Sequence, residues 1–583
     1  MKNLELAQQF ERIASLLEIV GESPFKIRAY RRVARTLIEL PEPVEEVARQ
    51  GRLRELPGVG EAISSKIEEW LSTGKMGLLE RLQQQVPEGL AELMEIPGIG
   101  ARTAGLLYER LGVASLAELE AAARAGKVRQ IKGMGARTEA AILEGIERFR
   151  KRAGRQPMPY LLAAGEALAA GIKGLAGVQA VNLAGSLRRA EEMATDVDLV
   201  VAGPRVEQTA EAVRAYLGAG VQEQAGPWPG TVRIRGKAPG GTPVDVWVVP
   251  LEAVASALFL ATGPAAHVEA VTARLSERGW RWEAGRLACT READRDPANP
   301  AWPQGEEEIY ARAGLPWIAP ELRWGLDEVD LAARGELPRR LVELSDIQGD
   351  LHVHTVASDG VAPPEAMVEG ARDRGLSYLA ITDHSPSLTV ARGLSAERLA
   401  AHAARIRGLS HTLGFPVLAG SEVDIRPDGT LDYPDEVLAG LDWVVASIHS
   451  HFRLDAEATT RRLVAACEHP LVHALGHPSG RLLGRRDPYA VDLEAVLRRA
   501  AETGTAVEIN ATPDRLDLNA DWARRARAMG VKFVIGTDAH SPAQLAFMGY
   551  GVLVARRAGL CPGDVLNTGD IDALRRYALR RRA

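Results

Sequence analysis

Cysteine is scarce in this chain. Cys289, Cys467 and Cys561 are the three present, and their wide spacing matches no zinc-binding pattern. Nothing here builds a disulfide framework, so a reducing cytoplasm is the expected setting. Long apolar runs are missing too: no uninterrupted stretch is long enough to span a bilayer, which argues against a membrane role. The opening MKNLELAQQFERIASLLEIV mixes acids and bases among its apolar residues and reads as an amphipathic helix, not a secretory signal. Excess charge is absent as well. The net charge is -6, and residues 1–150 carry 22 acids and 22 bases, so any grip on nucleic acid has to come from local patches. Histidine is almost absent before position 352, where His267 stands alone; the other eleven of the twelve follow. That crowding points to a chemistry confined to the last part of the chain. With 583 residues, several hydrophobic cores are expected rather than one.

Residues 1–150 read as mostly helical, with apolar residues three and four apart broken by Gly-containing turns. One pattern recurs there: LPGVG (56–60), IPGIG (96–100) and IKGMG (131–135), each followed by a helix-like segment such as EAISSKIEEWL or ARTAGLLYERL. Glycine permits a tight hairpin, and the next helix then offers free backbone N–H groups, which bind phosphate without reading bases. Gly58, Gly60, Gly98, Gly100, Gly133 and Gly135 are the candidate DNA contacts. The pattern resembles the helix-hairpin-helix motif. A single copy would be a common turn between packed helices; three copies point to DNA-backbone binding.

From about 178 the pattern changes to short β-rich runs ended by Gly or Pro: VQAVNLAG, DVDLVVAG, TVRIRG and TPVDVWVVP. The segment AGSLRRAEEMATDVDLVV places Gly185-Ser186 and Arg188-Arg189 ahead of Asp196 and Asp198. Strand alternation puts both carboxylates on one face, and Asp245 in PVDVWVV can add a third from a neighbouring strand. Oxygen ligands clustered this way suit two Mg²⁺ ions, which serve phosphoryl transfer. The Gly-Ser turn admits a phosphate, and the arginines neutralise it. A solvated DxD is the plainer reading of Asp196 and Asp198 alone; the run of GS-x-RR, DxD and a strand-borne Asp is more specific.

Beyond 346, strands alternate with helices, as in YLAITDHS, FPVLAGSEVDI, DWVVASIHSHF and KFVIGTDAHS, which argues for a parallel sheet or barrel with its functional groups at the strand ends. Candidate ligands sit at those ends: His352 and His354 in QGDLHVHTVASDG with Asp359 after them, then His384, Glu422, His449, His477, Asp538 and His540. Nine nitrogen and oxygen donors without cysteine suit Zn²⁺, Mn²⁺ or Fe. Any one of these histidines reads equally well as a hydrogen-bonded strand-end residue; nine at successive strand ends do not. His451, His469 and His473 are expected in supporting, core or surface positions. Arg515, in ATPDRLD, reads as a phosphate clamp or a solvated loop residue.

On these residues the chain resembles family X DNA polymerases, of the polymerase beta type, joined to a PHP (polymerase and histidinol phosphatase) domain. The resemblance implies a multidomain fold: a helical lyase-like domain over 1–80, helical fingers over 81–150, an α/β nucleotidyltransferase palm over 151–260, a thumb over 261–320, a linker over 321–345, and a distorted (β/α)7 PHP barrel over 346–583. It implies that Ser186 and Arg189, with Gly185 and Arg188 beside them, contact nucleotide phosphates. Asp196, Asp198 and Asp245 would hold Mg²⁺, with Asp245 the base for the primer 3′-hydroxyl. In the barrel it implies three sets of ligands for Zn²⁺ or Mn²⁺: His352, His354, Glu422 and Asp538; Asp359, His384 and His540; and Glu422, His449 and His477. Lys66 falls on the family's Schiff-base lysine, although Ala62 and Phe25 replace polar residues nearby. The nucleotide-pocket element YFTGS reads LATGP here (260–264). The expected function is gap filling in base excision repair with metal-dependent 3′–5′ exonuclease, and AP endonuclease, activity. The expected partners are gapped or nicked DNA and dNTP, with no membrane, for a monomeric cytoplasmic protein. Alternatives are a repair nuclease with a DNA-positioning palm, a non-enzymatic DNA-binding scaffold, and a histidinol-phosphatase-like esterase.

Overall fold

A computed structural model describes residues 2–38, 40, 44–87, 89–94, 96, 99–152, 154–238, 241–290 and 301–582. Two compact units emerge, Met1–Arg155 with Gly484–Arg486, and Gln156–Leu483 with Asp487–Ala583. The first unit is helical. Its core gathers one apolar stripe from each helix, with Phe10, Val33, Leu37, Ile67, Leu93 and Leu107 all buried. Its hairpins repeat one hydrogen-bond pattern. The N–H groups of Val59, Ile99 and Met134 bond the carbonyls of Leu56, Ile96 and Ile131 at 3.0, 3.0 and 2.9 Å. Helices Glu61–Thr73, Ala101–Leu111 and Ala136–Arg152 then begin directly. Gly58 has φ +82° and a Cβ there would lie 2.8 Å from Arg32 Cδ, so the first hairpin requires glycine on both counts. Gly98 lies outside the described residues.

The second unit carries two main sheets. Short strands β1 (Gln156–Pro157) and β3 (Met193–Ala194) form a small two-stranded sheet of their own. The first main sheet is formed by β2 (Ala180–Leu183), β4 (Val197–Ala202), β5 (Gln222–Ala225), β6 (Val232–Lys237) and β7 (Pro243–Val249), in the order β2-β4-β7-β6-β5. Val-rich β4 and β7 lie side by side, parallel and buried, as the continuous apolar reading of DLVVA and VWVV requires. The helix Val254–Thr262 runs across the expected boundary at 260/261. A hairpin of β8 (Trp280–Glu283) and β9 (Arg286–Cys289) follows. Phe259, Tyr310 and Ile318 share a separate core there, and Val329 and Ala332 of Glu328–Arg334 join it. The segment expected as a linker contributes to this core.

The remaining strands are β10 (Gly349–Val353), β11 (Tyr378–Ile381), β12 (Val417–Asp424), β13 (Trp443–Ser447), β14 (Ala474–Leu475), β15 (Ala506–Asn510) and β16 (Phe533–Gly536). They form a seven-stranded parallel sheet in sequence order, and a bridge from Val353 to Ala539 brings its two edges together into a nearly closed barrel. Every residue of these strands is buried, as parallel strands under a helical layer demand. Closure brings the carboxyl ends of all seven strands to one rim, where the expected ligands lie.

Candidate active centres

The first centre is built on β4 and β7. Their parallel register sets Asp198 directly opposite Asp245. Gly185 (φ +58°) approaches so closely that a Cβ there would lie 1.7 Å from Asp198 Oδ2, so the Gly-Ser turn lies against the carboxylate. Burial, reinforced by the charges of Asp196 and then Asp245, pushes the Asp198 carboxyl up to about 7. Like charges forced together at a half-open turn fit divalent cations, which would relieve the repulsion. Asp245 has meanwhile found two cationic neighbours. Arg233 Nε reaches its oxygens at 2.8 and 3.1 Å, Arg233 Nη2 at 2.5 Å, and Arg235 Nε at 2.8 Å. The three aspartates thus share one electrostatic neighbourhood, but among the described residues the sets of three or more potential ligand atoms within 4.8 Å of one another all lie in the barrel.

The arginines after Gly185-Ser186 are tied to protein groups. Arg188 donates to Thr262 Oγ1 at 2.7 Å and to Glu306 at 2.5 Å. Arg189 donates to Glu191 at 3.0 and 2.6 Å and to the Thr262 carbonyl. Thr262 belongs to the LATGP element, so both arginines brace that turn against the sheet. Ser186 is half-buried beside them. In the helical unit, Lys66 donates to the Ala62 carbonyl at 2.8 Å, and burial lowers its pKa.

The second centre occupies the barrel rim. Three sets of ligand atoms lie within 4.8 Å of one another: His354, Asp359, His384 and His540; His352, His354 and Asp538; and His384, Glu422 and His449. Glu422 lies between them. Its Oε2 is 3.0 Å from His384, 3.3 Å from His352 and 3.5 Å from His354, while its Oε1 faces His477 at 2.8 Å and His449 at 3.2 Å. His354 Nε2 is 3.1 Å from Asp538, and Asp359 lies 3.4 Å from His540 and 3.5 Å from His384. The structure therefore brings all nine expected residues into one cluster at the barrel rim. The grouping differs from the expected one: His354 also joins the Asp359 set, His384 joins Glu422 and His449, and at that mutual distance neither Glu422 falls in the His352 set nor His477 in the Glu422 set.

The electrostatics are those of cation ligands. His352 Nε2, both ring nitrogens of His354, His384 Nδ1, His449 Nδ1 and His477 Nδ1 are buried without a hydrogen bond, as is Glu422 Oε2. Buried donors and acceptors are seldom left so. Apart from His477 Nε2, which hydrogen-bonds Glu422 Oε1 at 2.8 Å, these facing nitrogens and carboxylate oxygens meet without hydrogen-bond geometry, which fits shared divalent cations. Burial opposes charge on His384, yet Glu422 and Asp359 hold its pKa up to about 10; burial and the Arg515 guanidinium push His477 down to about 3.

Supporting carboxylates escaped the sequence reading. Glu508 on β15 bonds His352 Nδ1 at 2.6 Å and accepts the His477 N–H at 2.7 Å. Asp424 lies 3.4 Å from His449 Nδ1. Asp383, under His384, accepts from Thr355, Ser358 and His402 at 2.7, 2.5 and 2.9 Å. Glu508 is placed to fix the orientation of a ligating ring. A signal existed: Asp383 and Asp424 stand one and two residues from a ligand in TDH and SEVD. His451 is exposed, His469 pairs with Asp435 at 3.2 Å, and His473 stacks on Trp443 outside the centre.

Comparisons with known proteins match this arrangement. Residues 1–76 match the model of a helix-hairpin-helix domain, 90–148 that of a SAM-like helix-hairpin-helix tandem, and 350–512 that of the PHP domain. The DNA polymerase/3′-5′ exonuclease PolX of Bacillus subtilis (strain 168) is 35% identical over 587 residues, covering 100% of both chains. Proteins named "Probable phosphatase" from Thermoanaerobacter sp. (strain X514) and Syntrophotalea carbinolica are each 31% identical, covering 39% and 37% of this chain and 93% and 90% of their own.

Proposed function

Because the chain belongs to the family of DNA polymerase/3′-5′ exonuclease PolX, we propose that its two activities are divided between the two centres. Asp196, Asp198 and Asp245 serve synthesis, and the nine residues of the barrel rim serve removal of 3′ nucleotides. The helical hairpins hold the DNA backbone through the N–H groups at their helix starts. Mg²⁺ suits the oxygen-only first centre and Zn²⁺ or Mn²⁺ the imidazole-rich second.

Bound divalent cations supply Lewis acidity toward phosphate oxygens and toward the attacking hydroxyl in both centres. The chain's own residues do the rest. Asp198 and Asp245, opposite each other on rigid strands, fix where an incoming triphosphate and a primer end meet. Asp245 takes the proton of the primer 3′-hydroxyl, and Arg233 keeps its carboxylate aimed. The Gly185-Ser186 turn, lacking a side chain at its tightest point, admits the phosphates. In the barrel, Glu508 holds His352 in one tautomer. Gapped or nicked DNA and dNTP are the substrates of this reading. Gap filling in base excision repair, with AP endonuclease action by the barrel and lyase action by Lys66, is its setting, in a cytoplasmic monomer.

The observation that carries the division of labour is the cluster of buried, hydrogen-bond-free ring nitrogens around Glu422. With Mn²⁺ and a recessed primer–template, His352→Ala is expected to lose 3′ nucleotide removal while primer extension survives. Asp198→Ala should do the reverse. If Asp198→Ala and not His352→Ala abolished the nuclease, the assignment would be wrong.

A further inference from the structure

The residues assigned so far leave Arg515 unused. It follows β15 on the rim, and its Nε lies 3.6 Å from Asp538 Oδ2. The side chain is only 18% exposed, yet the guanidinium makes no hydrogen bond to a protein group among the described residues, and Asp538 is its one ion-pair partner there. Its positive charge reaches as far as His477 and Glu422. A planar fork of five donors, covered, cationic and unspent beside clustered ligands, matches the non-bridging oxygens of a phosphodiester.

The backbone that carries Arg515 is held from elsewhere. Arg481, 7% exposed, donates through Nε to the Arg515 carbonyl at 3.0 Å and through Nη2 to the Leu516 carbonyl. Leu516 has φ +44°, a conformation costly for a branched side chain and kept only where its surroundings hold it. The third nitrogen of Arg481, Nη1, pairs with Glu192 at 2.7 Å. Glu192 lies in the loop of the five-stranded sheet that leads from Arg189 to Asp196. One arginine thus joins the loop of the synthetic centre to the loop of the hydrolytic one.

We infer that Arg515 is a substrate-contacting residue of the barrel centre, gripping the phosphate at the DNA 3′ end, and that Glu192 and Arg481 are positioning residues that set its reach. This rests on the barrel being the nuclease. Glu192 neutralises Arg481 and fixes its fork, so both carbonyls stay in line and the Arg515 guanidinium faces the cavity. The five-stranded domain would then contribute to hydrolysis without touching the substrate.

The test uses the full chain with Mn²⁺ and a recessed primer–template, measuring kcat and KM for 3′ nucleotide removal, bound metal, and primer extension. Arg515→Ala is expected to lower nuclease kcat/KM by about 10²-fold or more, as loss of one preorganised charge donor does, with bound metal unchanged. Arg515→Lys should recover only part, lacking the fork. Glu192→Gln should lower kcat by roughly tenfold, as changes in a supporting contact do, and Glu192→Asp should restore most of it. In Arg515→Ala the Glu192→Gln change should have no additional effect, because both act through one group. Nuclease within twofold of the original in Arg515→Ala, or a loss of activity that follows lost metal, would overturn the assignment of Arg515. Full additivity of the two changes would overturn the positioning role. His352→Ala serves as reference: if it retained the nuclease, the underlying division of labour would have failed instead.

Discussion

Arg233 reaches Asp245 diagonally across β6 and β7, with Nε and Nη2 of the guanidinium on the carboxylate at 2.8 and 2.5 Å. The Arg233 guanidinium also lies 5.6 Å from the Trp247 ring centre, so it is pinned on two sides. A carboxylate gripped this way keeps one orientation, whereas a free one would rotate toward solvent. Arg233→Ala is therefore expected to lower primer extension by about 10–100-fold and to raise the Mg²⁺ concentration needed, as loss of a supporting contact does. Exonuclease activity should stay within about twofold, because among the described residues its side-chain hydrogen bonds all go to Asp245. A Mg²⁺ titration of primer extension checks both halves.

Glu508 stands in the same relation to His352. Its Oε1 accepts from Nδ1 at 2.6 Å, leaving Nε2 as the nitrogen that faces Glu422 and Asp538. Glu508→Gln keeps the shape and removes the charge. The expected result is about 10–100-fold weaker retention of metal by the barrel and a matching loss of nuclease, with primer extension intact. Dialysis against graded chelator, followed by metal analysis, measures it. Unchanged retention would show that the carboxylate plays no part in holding the ring.

How legible this was depended on sequence distance. The three hairpins repeat hydrogen bonds between residues three apart, so local spacing sufficed. The barrel ligands were legible because strand ends gather at one rim whichever strand is considered. The pairing of Arg235 with Asp245 was not, since TVRIRG reads only as a strand until the register of β6 on β7 is known. Arg188 meets Thr262 and Glu306 across separations of 74 and 118 residues, and no local pattern announces that. Glu508 was missed for a similar reason: one acid in a buried strand has no spacing partner, and its histidine lies 156 residues earlier.

Glu306 receives Arg188 on one oxygen and Arg323 on the other, at 2.5 and 2.7 Å. Arg323 is fully buried. Glu306→Ala would leave its guanidinium in the core without a counter-charge, at a cost of about 3–5 kcal/mol. Glu306→Gln, which keeps an acceptor, should cost less. Scanning calorimetry of both variants is expected to show the transition of this part of the chain shifted down in that order. A transition unmoved in Glu306→Ala would mean the pair is not what holds this core together.

The hairpins allow stability and DNA affinity to be separated. Gly60 and Gly100 cap their helices in extended conformation with no side-chain cap, and a Cβ at Gly60, Gly100 or Gly135 would meet nothing within 4 Å. Aspartate fits there without strain and caps better than glycine, by a few tenths of a kcal/mol. Its carboxylate would take the N–H groups a DNA phosphate needs and add a negative charge at the same spot. Combined Gly60→Asp, Gly100→Asp and Gly135→Asp is thus expected to unfold no earlier than the original chain. It should bind DNA at least about tenfold more weakly, with the salt slope reduced by about 0.9 per lost phosphate contact. Fluorescence anisotropy across a salt series, beside a thermal melt, reads both. If the hairpins served only to turn the chain, the substituted protein would bind DNA as the original does.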